Sequence, residues 1–312
     1  MNELKVVFMG TPDFSVPVLN MLIKNTNVIG VVTQPDKPVG RSGKLSITPV
    51  KEVALEYSIP IFQPNKIKEE YEDILKLNPD IIITCAYGQI IPKEMLDYPK
   101  LGSINVHASL LPYHRGGAPI HRAIIDGDSK TGITIMYMGI GMDAGDIISQ
   151  KEIDILDTDT AESLFDKLSI LGSELLYETL PSIIDGTNKR IKQDDSLATY
   201  SYNIKPEDEI IDFSKTRREV FNQIRGLNSW PVAYTYLEGK RVKVWSSKIG
   251  DGNVSKECGI IKNIYKDGIG VQVSDGEIIL TEIQPEGKKK MLVKDYLNGL
   301  SNKDILKNKK LG

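Results

Sequence analysis

The sequence predicts an α/β fold: a doubly wound, Rossmann-like, mostly parallel sheet followed by a smaller OB-like β-barrel domain. Two observations carry this. From residue 4 to about residue 184, strand-length apolar runs alternate with amphipathic stretches, the rhythm of βαβ units. From about residue 230, five short strand-like runs follow one another within about fifty residues, separated by Gly and Asp. At 312 residues the chain is long enough for two cores.

Leu4–Met9 reads as the first strand. Gly10-Thr-Pro-Asp13 is a turn, with Asp13 placed to cap a helix over Phe14–Ile23. Val28–Thr33 is the second strand. Thr48–Tyr57 is helical, because Val50, Val53, Ala54 and Tyr57 recur at i, i+3, i+4, i+7. Ile67–Leu77 is a second short helix. Asp80–Ala86 is a continuous apolar run, hence a strand buried on both faces. Strand Leu101–His107, helix Ala118–Ile125 and strand Gly132–Met138 complete the sheet, with parallel strands expected. Ala161–Ile184 is a long helix that Gly172 and Pro181 could interrupt. Beyond it, one helix over Thr216–Leu227 precedes strands Val232–Leu237, Arg241–Trp245, Gly259–Tyr265, Gly268–Val273 and Glu277–Ile283. Glu238-Gly239, Asp267-Gly268 and Asp275-Gly276 are hairpin signals between them. The expected organisation is a first domain over 1–188, a polar linker over 189–206 and a second domain over 207–312.

Composition excludes several classes. No apolar run approaches the roughly 20 residues that span a bilayer, and the first ten residues lack a signal-peptide pattern. Two cysteines, Cys85 and Cys258, lie far apart, which predicts no disulfide framework, no cysteine zinc site and a reducing cytoplasm. No evident exposed apolar stripe is present, which predicts a monomer. Residues 1–206 carry 20 Lys and Arg against 27 Asp and Glu, whereas residues 207–312 carry 19 against 15. The net charge of −3 thus hides an acidic front and a basic back, and the back suits a polyanion.

All three histidines, His107, His114 and His121, fall within one 15-residue stretch. Histidine titrates near neutral pH, so proton transfer is expected there. Asn105 and His107 end a strand and, two residues apart, face one side. In an open α/β sheet, ligands bind beyond such strand ends. An amide donor beside an imidazole suits acyl transfer, in which charge collects on a carbonyl oxygen and a proton must move. An imidazole used this way needs an orienting carboxylate. Asp143 and Asp146, in the Gly-rich segment Gly139–Asp146, are both candidates, and spacing does not rank them. His114 reads as a loop residue and His121 as structural. Their spacing of seven suits no metal site. A nicotinamide site is unsupported, since Gly10-Thr-Pro-Asp13 is not G-x-G-x-x-G, and neither a P-loop nor a G-x-S-x-G elbow occurs.

On Asn105-x-His107, Ser109-Leu-Leu-Pro112, Arg115-Gly-Gly-Ala-Pro119 and Met142-Asp-Ala-Gly-Asp-Ile147, the chain resembles the formyltetrahydrofolate-dependent formyltransferases. Val7–Ser15, Val32–Asp36, Leu227–Tyr236 and Gly239–Trp245 are similar to the branch that formylates methionine on initiator tRNA, so the resemblance spans nearly the whole chain. It implies Asn105, His107 and Asp143 as the catalytic set, with Ser109, Leu110, Leu111 and Pro112 contacting the folate. It implies 10-formyltetrahydrofolate as co-substrate, no metal, and initiator methionyl-tRNA as the partner of a basic second domain. Gln34–Lys44 resembles that branch's tRNA-contacting loop, with Arg41 and Lys44 as contacts. Its prolines, glycines and basic residues predict no ordered helix or strand. Lys288–Lys290 and Lys307–Lys310 are further candidate phosphate contacts. The rival expectations are a formyltransferase acting on a small-molecule amine (glycinamide ribonucleotide or an amino sugar nucleotide), an RNA-binding module that keeps folate as a ligand, and a formyl-folate hydrolase.

Overall fold

The computed structural model describes residues 1–39, 44–253 and 257–312. Two compact units are present: Met1–Pro119 with Thr131–Ile153 and Phe165–Ser201, and Ile120–Lys130 with Asp154–Leu164 and Tyr202–Gly312.

The strands of the first half are β1 (Lys5–Gly10), β2 (Asn27–Val32), β3 (Lys37–Val39), β4 (Lys44–Ser46), β5 (Ile61–Phe62), β6 (Ile81–Cys85), β7 (Ser103–His107), β8 (Lys130–Tyr137) and β9 (Ile147–Asp154). The helices are α1 (Val16–Asn25), α2 (Pro49–Glu56), α3 (Glu72–Leu75), α4 (Lys93–Leu96), α5 (Pro119–Asp126) and α6 (Ala161–Ile184). Seven strands form one sheet in the order β5-β2-β1-β6-β7-β8-β9. From β5 to β7 every pairing is parallel. The continuous apolar runs of β1 and β6 are buried on both faces, as parallel strands under helices must be.

Several sequence expectations are corrected. β8 runs antiparallel to β7, pairing Ile104 with Tyr137 and His107 with Thr134. Its C-terminal end therefore lies at the start of β7, where the Met138 N–H donates to the Ser103 carbonyl at 2.8 Å. Asp13 caps no helix through its side chain. It opens a single 3-10 turn, and α1 begins at Val16. The expected helix over Ile67–Leu77 shrinks to the four residues of α3, although Ile67 and Ile74 both enter the same apolar core. The segment expected to be irregular has paired arms, since Lys37–Val39 and Lys44–Ser46 form the antiparallel hairpin of β3 and β4. α6 passes through both Gly172 and Pro181 without a break. A Cβ on Gly172 would stand 2.9 Å from Val106 Cγ1, so glycine there lets the helix lie close on the sheet.

The second unit contains α7 (Arg217–Gly226), capped by Thr216 and Glu219 in a reciprocal box. It is followed by β10 (Tyr234–Leu237), β11 (Lys240–Ile249), β12 (Ile261–Ile264), β13 (Ile269–Val273), β14 (Gly276–Pro285), β15 (Met291–Leu292) and α8 (Val293–Asn298). The sheet order is β10-β11-β14-β13-β12, with β15 on β14, and these neighbours pair antiparallel. Val220 and Ile224 of α7 join Val242, Val244, Val271, Ile278 and Leu280 in its core.

Candidate active site

Asn105 and His107 occupy the last pleats of β7. Asn105 registers against Thr84 of β6, and the Thr84 hydroxyl donates to Asn105 Oδ1 at 2.8 Å. That bond ties up the amide oxygen and leaves the Nδ2 hydrogens for another acceptor. His107 is buried, and both of its ring nitrogens face oxygen. Nε2 lies 3.0 Å from the His114 carbonyl and Nδ1 lies 3.7 Å from Asp143 Oδ2. The Nε2 contact is within hydrogen-bond distance, whereas Nδ1 at 3.7 Å stands just beyond it, an ion-pair distance from the carboxylate.

Asp143 reaches His107 by an unexpected path. Because β8 is antiparallel to β7, its end points away from the His107 end of the sheet. The loop over residues 138–146 returns along the sheet, and its own geometry makes this possible. Asp143 adopts φ +48°, a left-handed conformation that costs a non-glycine residue energy. Gly145 presses on β8 so closely that a Cβ would stand 1.8 Å from the Tyr137 carbonyl oxygen. The Gly116 N–H donates to Asp143 Oδ2 at 2.8 Å, fixing the carboxylate from the opposite loop. Between the two acidic candidates, the structure brings Asp143 to His107. Asp146 instead faces Arg190, with Oδ2 at 3.4 Å from Nε.

A cavity of about 640 Å³ opens beside Asp143. Its wall is apolar, from Ile91, Leu96, Met136 and Met138. Ile90 and Ile140 form an exposed rim, and Gln89, Lys68 and Lys93 supply polar groups. Ser109, Leu110, Leu111 and Pro112 do not line it. Ser109 and Leu111 are buried, with the Ser109 hydroxyl donating to the Tyr113 carbonyl and Leu111 packed on Met136 and Ile147. Arg41 lies outside the described residues, and of Lys44 only the backbone, in β4, is described.

The three histidines separate. The His114 carbonyl faces the His107 ring, and its own ring lies 2.7 Å from Ser201 Oγ. His121, in the other unit, is buried with Nδ1 2.7 Å from the Gly226 carbonyl. Burial, more than any charge, pushes its pKa down.

Sequence reasoning missed Thr84 and Gln193. Thr84 left a trace, as the hydroxyl-bearing residue among the apolar side chains of β6. Gln193 left none, because it sits in a polar stretch that reads as a linker.

Residues 4–180 match the family model described as formyl transferase, and residues 203–301 match its C-terminal domain. The chain is 54% identical over 299 residues to the methionyl-tRNA formyltransferase of Bacillus subtilis (strain 168), covering 95% of this chain and 94% of that one. It is 52% identical over 310 residues to the enzyme of that name from Staphylococcus aureus (strain bovine RF122 / ET3-1), covering 98% and 99%. Among solved structures, the fold is similar to the methionyl-tRNA formyltransferase from Clostridium thermocellum, with a TM-score of 0.57 and 20% identity, covering 88% of this chain and 100% of that one. It is also similar to an N-formyltransferase from Helicobacter canadensis in complex with folinic acid and dTDP-3-aminofucose, with a TM-score of 0.66 and 21% identity, covering 91% and 100%.

Proposed function

Since the chain belongs to the formyl transferase family, among its methionyl-tRNA formyltransferases, we propose that Asn105, His107 and Asp143 carry formyl transfer from 10-formyltetrahydrofolate to the α-amine of initiator methionyl-tRNA. The observation that carries the assignment is the convergence of His107 Nδ1 and the Gly116 N–H on one carboxylate oxygen, Asp143 Oδ2, at the strand end that bears Asn105.

The acceptor amine attacks the formyl carbon, and the carbonyl electron pair moves onto oxygen. Asn105 Nδ2, left available because Thr84 holds the amide oxygen, donates to the formyl oxygen, as does His107 when protonated. Asp143 holds the ring and relays the amine's proton toward the folate nitrogen, which takes it as its bond to the formyl carbon breaks. The atoms balance without a metal.

The donor fits the cavity beside Asp143. The apolar wall suits a flat ring system, and Lys68 and Lys93 suit the carboxylates of a glutamate tail. Ser109, Leu110, Leu111 and Pro112, the segment that follows His107, complete the folate-contacting set that the family resemblance implies. The RNA contacts come from Arg41 and Lys44 of the segment Gln34–Lys44 and from the basic second domain. There Arg241 stacks on Tyr234 at 3.6 Å and Lys290 on Trp245 at 4.6 Å, and cations paired with aromatic rings suit a nucleic acid. A cytoplasmic monomer belongs to the same reading, and the free cysteines suit a reducing compartment.

Incubating the protein with charged initiator tRNA and 10-formyltetrahydrofolate should yield formyl-methionine, and Asn105→Ala or His107→Ala should slow transfer by about 10²–10³. Unchanged turnover in both variants would remove these residues from the chemistry. Equal rates with a free amino sugar nucleotide would remove the tRNA acceptor.

A further inference from the structure

We propose that Gln193 is a positioning residue for Asp143, and that residues 188–201 are a working part of the active site rather than a passive link. This rests on the reading of Asp143 as the carboxylate partner of His107.

Gln193 is buried, and its amide is saturated. Nε2 donates to the Asp143 carbonyl and to the Gly145 carbonyl, each at 2.8 Å. Oε1 accepts from Arg115 Nε at 3.1 Å and from Arg115 Nη2 at 2.8 Å. One side chain thus bridges the two loops that build the site, the turn carrying Asp143 and the loop carrying Gly116, whose N–H holds Asp143 Oδ2. Arg115 is itself buried and paired with Asp195 at 2.8 Å.

The backbone around Gln193 is tied at both ends. Ile191 and Ile147 exchange reciprocal N–H to carbonyl bonds at 2.8 and 2.9 Å. The Arg115 N–H donates to the Thr199 carbonyl at 2.9 Å, and the Ser201 N–H donates to the Arg115 carbonyl at 2.7 Å. The segment therefore forms a strap fastened to β9 at one end and to the loop after His107 at the other, with Gln193 aimed inward between the fastenings.

The need for such a clamp is written in the Asp143 backbone. A left-handed φ persists only where its surroundings over-determine it. The carbonyls of Asp143 and Gly145 lie on either side of Ala144, so a donor shared by both fixes the turn that carries the carboxylate. Its removal leaves two carbonyls without that partner and the carboxylate free to drift from His107. A displacement of about 1 Å at a reacting group costs rate on the order of 10²-fold.

Gln193→Glu isolates the clamp. It keeps an acceptor, now charged, for Arg115 and removes both donors to the turn. The expected result is a kcat for methionyl-tRNA formylation lower on the order of 10- to 100-fold, with the KM of each substrate unchanged and the acid limb of the kcat–pH profile displaced, since Asp143 no longer holds His107. Gln193→Asn keeps the amide but draws it back by one methylene, and the same two readouts apply should the glutamate variant not fold. A wild-type kcat and pH profile in these variants overturns the proposal, as does a drop in rate that only tracks the folded fraction by circular dichroism. A wild-type rate in Asp143→Ala instead brings down the underlying reading of Asp143, so the two failures are distinguishable.

Discussion

The Thr84 hydroxyl donates to Asn105 Oδ1 at 2.8 Å across the parallel β6–β7 register, and this bond sets which end of the amide faces the strand terminus. Thr84→Val keeps the shape and removes the donor. The amide then loses its orienting bond, worth about 1 kcal/mol. Single-turnover formylation should slow about fivefold to tenfold, with the fold unchanged by circular dichroism. A wild-type rate would show that Asn105 orients itself.

Asp143→Asn retains an oxygen for the Gly116 N–H and deletes the charge beside His107. Transfer should fall by about 10²–10⁴, the range for removal of an acid–base partner. Folate binding measured by fluorescence quenching should change little, because the apolar cavity wall is untouched.

Gly145 has no room for a side chain, since its Cβ would stand 1.8 Å from the Tyr137 carbonyl oxygen. Gly145→Ala must move the turn away from β8. The expected cost is about 1–3 kcal/mol of stability, read as a lower urea midpoint, together with a reduced kcat as Asp143 shifts. A midpoint equal to wild type would show that the turn is looser than its packing indicates.

His121 links stability of the second unit to pH. Its folded pKa is depressed, first by burial and then by the charge of Arg122, against the pull of the Gly226 carbonyl. An unfolded histidine titrates near 6.5. Between these two values the unfolded chain binds more protons, so stability falls as pH drops through 6.5 toward the folded pKa and is flat above it. Urea midpoints at pH 7.5, 6.0 and 5.0 should show this slope, and His121→Asn should lose its part of it. Parallel lines for the two proteins would rule the linkage out.

RNA affinity should fall linearly with the logarithm of salt concentration, as counterion release requires. Alanine at Lys288, Lys289 and Lys290 should reduce that slope by about 0.7–0.9 for each phosphate that is no longer neutralised. An unchanged slope would place the RNA elsewhere on the protein.

The fold is legible wherever the physics is local. Continuous apolar runs mark β1 and β6 because strands buried on both faces carry no alternation. Thr48 reads as the start of a helix, and it caps α2 by accepting from the Lys51 N–H at 3.2 Å. The i, i+2 spacing of Asn105 and His107 places both on one side of a strand end. Orientation is what misleads: nothing in Gly132–Met138 distinguishes a strand entering parallel from one entering antiparallel. The pairing of β3 with β4 stays hidden because the prolines and glycines of Gln34–Lys44 argue against any strand there.

The residues of the sequence alone narrow the chemistry to an amide, an imidazole and one of two aspartates. Tertiary structure separates the two acids by what they face, Asp143 the His107 ring and Asp146 the Arg190 guanidinium. It alone brings in Thr84, 21 residues from Asn105, and Gln193, 50 residues from Asp143. Hydrogen bonds across such separations are set by how strands and loops stack: the sequence marks Thr84 as a polar residue in an apolar strand but not what it faces, and it does not mark Gln193.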